Sequence, residues 1–361
     1  MLRQRKRDIF RLFSRDKISC IFLCAIFFIT VFISCRKETG NSDIPVGNAV
    51  YYWKRVLNLS ETEKQFLKDQ NISRVYTRFF DVVDKNGKWM PESTLIFSQP
   101  MPGGEEIVPV VFIDSKALAI KDDISTLPPL ILARVDSMMS KNGYEPAEEI
   151  QIDFDWAPSN RDRYFSFLSQ LRDSLQRKGR RLSATIRLHQ LSLSPPPVDY
   201  GVLMAYNMGN FKNPKEKNSI ISISALKEYL PKLKNYPLPL RGSLPLYSWC
   251  LLFHDNRFVA IARDLDISDT TLFQPLDSTH FRARNYMPLP VGSTGGSPDG
   301  RIYPGDVIRF ETPSYSLLDS ALRMMAKERK EITNSLILYH LDDKSINTFN
   351  TDEIKKLYSG G

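Results

Sequence analysis

The chain has 361 residues, with 49 lysines and arginines against 41 aspartates and glutamates, a formal net charge of +8. Residues 1–34 hold seven of the basic residues and two of the acidic ones, so the remainder carries 42 against 39, a net charge near +3. That near-balance lacks the basic footprint of a nucleic-acid-binding domain. Beyond residue 35 the one cysteine is Cys250, which excludes an intramolecular disulfide or a cysteine zinc site there.

The first seventeen residues contain Arg3, Arg5, Lys6, Arg7, Arg11, Arg15 and Lys17, and the following run, Ile18 to Ser34, has no charge. A basic segment before an apolar run is a secretory signal or a membrane anchor. The run ends in Phe32-Ile33-Ser34-Cys35, which resembles the lipobox of bacterial lipoproteins, with Phe32 in place of the usual leucine. The resemblance implies a signal peptide over 1–34, diacylation of Cys35 and a tether over 35–48. An uncleaved N-terminal helix with a chance cysteine is the alternative. In both cases positive charge stays inside, so the domain is expected outside the cytoplasm. With a lipid anchor it sits in the cell envelope, on the periplasmic or surface side of a bacterial membrane.

From residue 49 onward, short β-rich runs alternate with amphipathic stretches. The predicted strands are 49–55, 74–80, 107–113, 150–156, 183–188, 201–207, 244–250 and 335–340. Helical spacing of apolar residues marks 61–70, 127–142, 161–178, 223–234, 257–264 and 315–329. Eight strands alternating with helices predict an α/β fold, a single (β/α)8 TIM barrel over 49–361. A doubly wound open sheet is the alternative, but it has fewer strands and calls for a glycine-rich phosphate loop that is absent here. Residues 265–312 are rich in proline and glycine, and are expected as a long irregular insertion between strands 7 and 8.

The fourth strand, Ile150-Gln151-Ile152-Asp153-Phe154-Asp155-Trp156, alternates with period two. Its isoleucines and phenylalanine face one way, and Gln151, Asp153 and Asp155 face the other. Carboxylates on one face of an apolar strand are costly unless paired or functional. The bland account has Asp153 bonding a neighbouring strand and Asp155 capping the next helix. The functional account makes them an acid pair, in which one carboxyl is raised into a proton donor.

These aspartates resemble the D-x-x-D-x-D-x-E motif of glycoside hydrolase family 18, the chitinases and endo-β-N-acetylglucosaminidases. Met204-Ala205-Tyr206-Asn207, closing the sixth strand, is similar to that family's M-x-Y-D, and Trp249 or Tyr339 could supply its aromatic near the barrel floor. Two registers fit strand 4. In one, Gln151, Asp153 and Asp155 replace the family's Asp, Asp and Glu, so the resemblance makes Asp155 the general acid and Asp153 the group that polarises an N-acetyl substituent. In the other, Asp153 and Asp155 are the two aspartates and Ala157 occupies the acid's place. The first is preferred because the strand should end before Pro158. Asn207 replaces an aspartate in either.

Other strand ends complete a candidate cleft. Arg78 follows the second strand, Arg187 and His189 the fifth, and His340 the eighth, while Trp53, Trp156, Tyr206 and Trp249 offer flat faces for sugar. Any one of these aromatics can equally be core. The expected function is that of a glycoside hydrolase-like lipoprotein acting on a polysaccharide or N-acetylated glycan. A non-catalytic glycan-binding barrel and a structural envelope lipoprotein are the alternatives. A carbohydrate ligand and a monomer are expected, with no cofactor and no metal.

Overall fold

A computed structural model describes residues 44–296 and 299–360. The expected signal segment, 1–34, and Cys35 lie outside the described residues. Eight parallel strands close a barrel: β1 (Asn48–Tyr52), β2 (Ile72–Lys85), β3 (Glu106–Ile113), β4 (Glu149–Asp153), β5 (Arg181–Arg187), β6 (Tyr200–Met204), β7 (Leu240–Pro245) and β8 (Ile337–Tyr339). Each pairs with its neighbour in chain order, and β8 pairs with β1 to complete the ring. The (β/α)8 reading of the alternating pattern is therefore correct.

Alternation sorts the side chains. Along β4, Ile150, Ile152 and then Phe154 point outward into the apolar layer beneath the helices, whereas Glu149, Gln151 and Asp153 point into the barrel. The outer layer is covered by α1 (Glu61–Asp69), α2 (Leu127–Lys141), α3 (Arg161–Gln176), α4 (Ile223–Asn235), α5 (Tyr315–Glu328) and α6 (Thr351–Tyr358). Local chemistry sets their starts. Ser60 and Glu63 form a reciprocal capping box on α1, as do Asn350 and Glu353 on α6, satisfying amides that the first turn leaves free.

Two crossovers depart from the strand–helix alternation. After β2 the chain turns through Asn86-Gly87, both at positive φ, and returns as an antiparallel strand, Lys88–Glu92. This is the hairpin geometry that Asn-Gly favours. Between β5 and β6 only a 3₁₀ turn, Leu188–Ser192, intervenes.

Three expectations are corrected between β7 and β8. The barrel strand is 240–245 rather than 244–250, and Trp249 instead opens a separate antiparallel sheet. Residues 257–264, read as a helix, form the strand Arg257–Ala262, which pairs with Trp249–His254 through Asp255-Asn256. Both turn residues have positive φ, so a two-residue hairpin replaces the helix. Residues 265–312, read as irregular, contribute further strands, including His280–Ala283 and Val307–Glu311. The six-stranded sheet they complete has its own apolar core around Leu252, Ala260, Phe273 and Ile308.

A buried ion pair, Arg309 with Glu311 at 2.7 Å, fastens this sheet to the barrel. Arg309 donates to the backbone of Phe211 and Asn213, and Glu311 accepts from Ser219 N and Oγ, all on the loop after β6. The sheet therefore stands beside the C-terminal ends of the barrel strands, where a ligand site is expected.

Candidate active site at the barrel mouth

A cavity of about 1150 Å³ opens at that end. Of the residues nominated from the sequence, Trp53, Arg78, Asp153, Asp155 and Arg187 line it, as do His189, Tyr206, Asn207, Trp249 and His340.

Two nominated residues do not reach it. Gln151 is fully buried, accepting from Tyr51 Oη at 2.7 Å and donating to Ser183 Oγ at 3.3 Å. It points inward as expected, but one step deeper than Asp153. Trp156 is also fully buried. It shares the outward parity of Ile150 and Ile152, so its ring packs on Phe165 of α3 at 5.1 Å.

Asp153 is the buried acid of the mouth, 4 % exposed. It accepts from Thr185 Oγ1 at 2.7 Å and from Arg187 Nη2 at 2.9 Å, both on the adjacent strand β5. Burial works against the Arg187 charge, but Asp153, Tyr206 and Asp155 together outweigh it and raise the guanidinium pKa above its ordinary value. This is a tightly held ion pair. Asp155, two residues on, is different: its side chain is 61 % exposed and lies 3.5 Å from His189 Nε2. Gln190 reaches it only at 3.4 Å, while donating to the Trp156 carbonyl at 2.9 Å. Asp155 does not cap the following helix, since Asn160 holds that position.

Aromatic rings form the floor. Tyr206 and Tyr339 stack with centroids 5.3 Å apart and planes 27° from parallel. Trp53 lies 5.9 Å from Tyr339, and Tyr247 stands 5.7 Å from it and 5.5 Å from Trp249. Trp249 is aimed by its indole N–H, which donates to Glu311 at 2.8 Å. Asn207 sits at φ 54, a left-handed conformation that asparagine tolerates, and its carbonyl oxygen accepts from Tyr247 Oη. The phenol of Tyr206 is buried without a hydrogen-bond partner, and burial, with Tyr51 and Tyr339 nearby, pushes its pKa well up. His340 pairs through Nε2 with Asp342 at 3.0 Å. Burial opposes the Asp342 charge, but bonds from His340 and Ser345 prevail and hold its carboxyl below the usual range. Among the described residues no group of three or more potential ligands is placed to hold a metal ion.

Sequence reasoning did not single out Tyr247, Arg55 or Arg263, which also line the cavity. Asp255-Asn256 between two apolar runs was the signal that would have placed Arg263 on a hairpin.

No protein-family model and no curated protein matches the sequence. Solved structures do match. The Bacillus cereus spore cortex-lytic enzyme SleL superposes with a TM-score of 0.53 at 14 % identity, over 87 % of this chain and 74 % of that one. A Chromobacterium violaceum chitinase gives 0.52 at 12 % identity, over 87 % and 98 %. The chain shares the barrel fold of these enzymes. The C-terminal domain of a putative chitinase from Desulfitobacterium hafniense agrees, with a TM-score of 0.55 at 10 % identity over 87 % and 99 %. At such identities the likeness is one of fold, and chemistry rests on the side chains described above.

Proposed function

We propose that the barrel mouth binds a glycan, in a protein lipidated at Cys35 and held at a membrane of the cell envelope. The observation that carries the reading is the continuous aromatic floor of Trp53, Tyr206, Tyr339, Tyr247 and Trp249 inside a cavity with a polar rim. Ligand sites combine such apolar faces with a few placed hydrogen-bonding groups. The exposed Asn207 is placed for that second role. The likeness to chitinase structures supports the same ligand class.

Binding without cleavage is the form the geometry favours. A carboxyl that donates a proton near neutral pH needs burial or a close like charge. Asp155 is largely exposed, and the Asp153 carboxylate is engaged by Thr185 and Arg187. The other register leaves Ala157 at the acid's place, with nothing to donate. One observation favours the hydrolytic reading: the Asp155 carboxyl belongs to the cavity lining. In that reading Asp155 protonates the glycosidic oxygen and Asp153 orients an N-acetyl group. Incubation with a chitooligosaccharide and product analysis separates the two. Binding alone predicts no new reducing ends and nearly unchanged affinity in Asp155→Asn. Hydrolysis predicts turnover that falls by about 10²–10⁴ in that variant.

For the anchor, Cys35→Ser should yield unprocessed precursor or release the domain from membranes. A variant that is processed and fractionates like wild type would refute lipidation.

A further inference from the structure

The charges around the mouth are not evenly placed. The side built by β4 and β5 presents Asp153 and Asp155, with Arg187 and His189 as their partners. The side built by β7, β8, β1 and β2 presents cations: five lysines and arginines line the cavity there against two aspartates, Asp264 and Asp342. Both of these acids are engaged, Asp264 with Lys344 at 3.4 Å and Asp342 with His340 and Ser345. Some of the cations are also spoken for. Lys54 pairs with Glu63, and Arg78 grips Asp81 while its guanidinium lies 5.5 Å from the Trp53 ring.

Arg55 and Arg263 differ. Both are exposed, both line the cavity, and neither has an ion-pair partner among the described residues. Arg263 stands at the end of the hairpin strand Arg257–Ala262, so the inserted sheet carries it to the mouth. Arg78, Arg187 and Arg263 all act electrostatically on the Tyr339 phenol. The aromatic floor is thus approached by guanidinium groups from several directions, and one of them has no acid to satisfy it.

A neutral sugar uses none of this surplus charge. Guanidinium groups match the planar, bidentate geometry of carboxylates and sulfates, and they gain most beside a partly desolvated cavity wall. We infer that the basic side of the mouth is a subsite for an acidic sugar residue, whose carboxylate or sulfate is recognised by Arg263 and Arg55. The inference rests on the carbohydrate reading of the cavity and sharpens it to an anionic glycan. Asp155, across the mouth, sets the orientation by repelling the acidic residue from the opposite wall.

The test measures affinity of the full chain for three oligosaccharides of matched length: an oligogalacturonate, a heparin-derived oligosaccharide and a neutral chitooligosaccharide. At low salt at least one acidic probe should bind about tenfold more tightly than the neutral one, the size of one charged hydrogen-bonded contact. Which of the two it is tells carboxylate from sulfate. The advantage should shrink in about 0.5 M salt, where exposed charges are screened. Arg263→Gln should remove most of it and Arg263→Lys should keep part. Equal or tighter binding of the chitooligosaccharide, or an acidic preference unmoved in both Arg263→Gln and Arg55→Gln, would overturn the inference and leave the carbohydrate reading standing. Failure of all three sugars to bind would overturn the carbohydrate reading, and the inference with it.

Discussion

Arg241→Ala should destabilise the barrel by about 3–5 kcal/mol, the usual cost of breaking a buried charge network from one side. Arg241 is fully buried at the end of the barrel away from the cavity. Its Nε donates to Ser335 O at 2.9 Å, Nη1 to Tyr76 Oη at 2.7 Å and Nη2 to Gly47 O at 3.1 Å. Tyr76 and Tyr200 pass the contact on to Glu149, which is also fully buried and further accepts from Ser183. Alanine would leave Glu149 without a cation in a closed interior and orphan two backbone carbonyls. Urea unfolding measures the loss directly. The double variant Glu149→Gln, Arg241→Met should lose less than the two single changes together, because the groups share one network. An Arg241→Ala midpoint within the error of wild type would contradict this account of the barrel interior.

Trp53→Ala and Tyr339→Ala should each weaken glycan binding by about 2 kcal/mol, roughly thirtyfold. Both rings are only half-buried, so their removal strips contact surface from the floor without opening a large internal cavity. Tyr339 carries the greater effect, since it stacks on Tyr206 and touches Trp53 and Tyr247. Titration calorimetry beside a melting curve separates lost binding from lost fold.

Much of the architecture was legible because its signals are local. The period-two pattern of 150–156 identifies a strand and its inward face, and the structure places Gln151 and Asp153 on that face. Parity also held the answer for Trp156: it shares the outward phase of Ile150 and Ile152, so its nomination as a sugar surface ran against its own pattern. Depth along the barrel axis has no such signature. Nothing in the spacing says that Gln151 lies below the cavity and Asp153 at its floor, and steps of two leave both motif registers in phase. The run at 257–264 misled for a further reason. Its apolar residues satisfy helical and extended spacing alike over so short a length, and the turn before it, Asp255-Asn256, decides the matter. Reading that stretch as a helix hid Arg263. The ion pair of Asp153 with Arg187 was equally out of reach, because partners on adjacent strands are set by register rather than by sequence spacing.

The most direct measurement is a calorimetric titration of wild-type protein with a chitooligosaccharide and an oligogalacturonate, followed by chromatography of the recovered sugar. The account predicts saturable binding of at least one of them, weakened roughly thirtyfold in Tyr339→Ala, with the sugar recovered intact. No binding of either, or binding that survives Tyr339→Ala undiminished, would contradict a glycan site at the barrel mouth. Recovery of shortened sugar, abolished in Asp155→Asn, would contradict binding without cleavage.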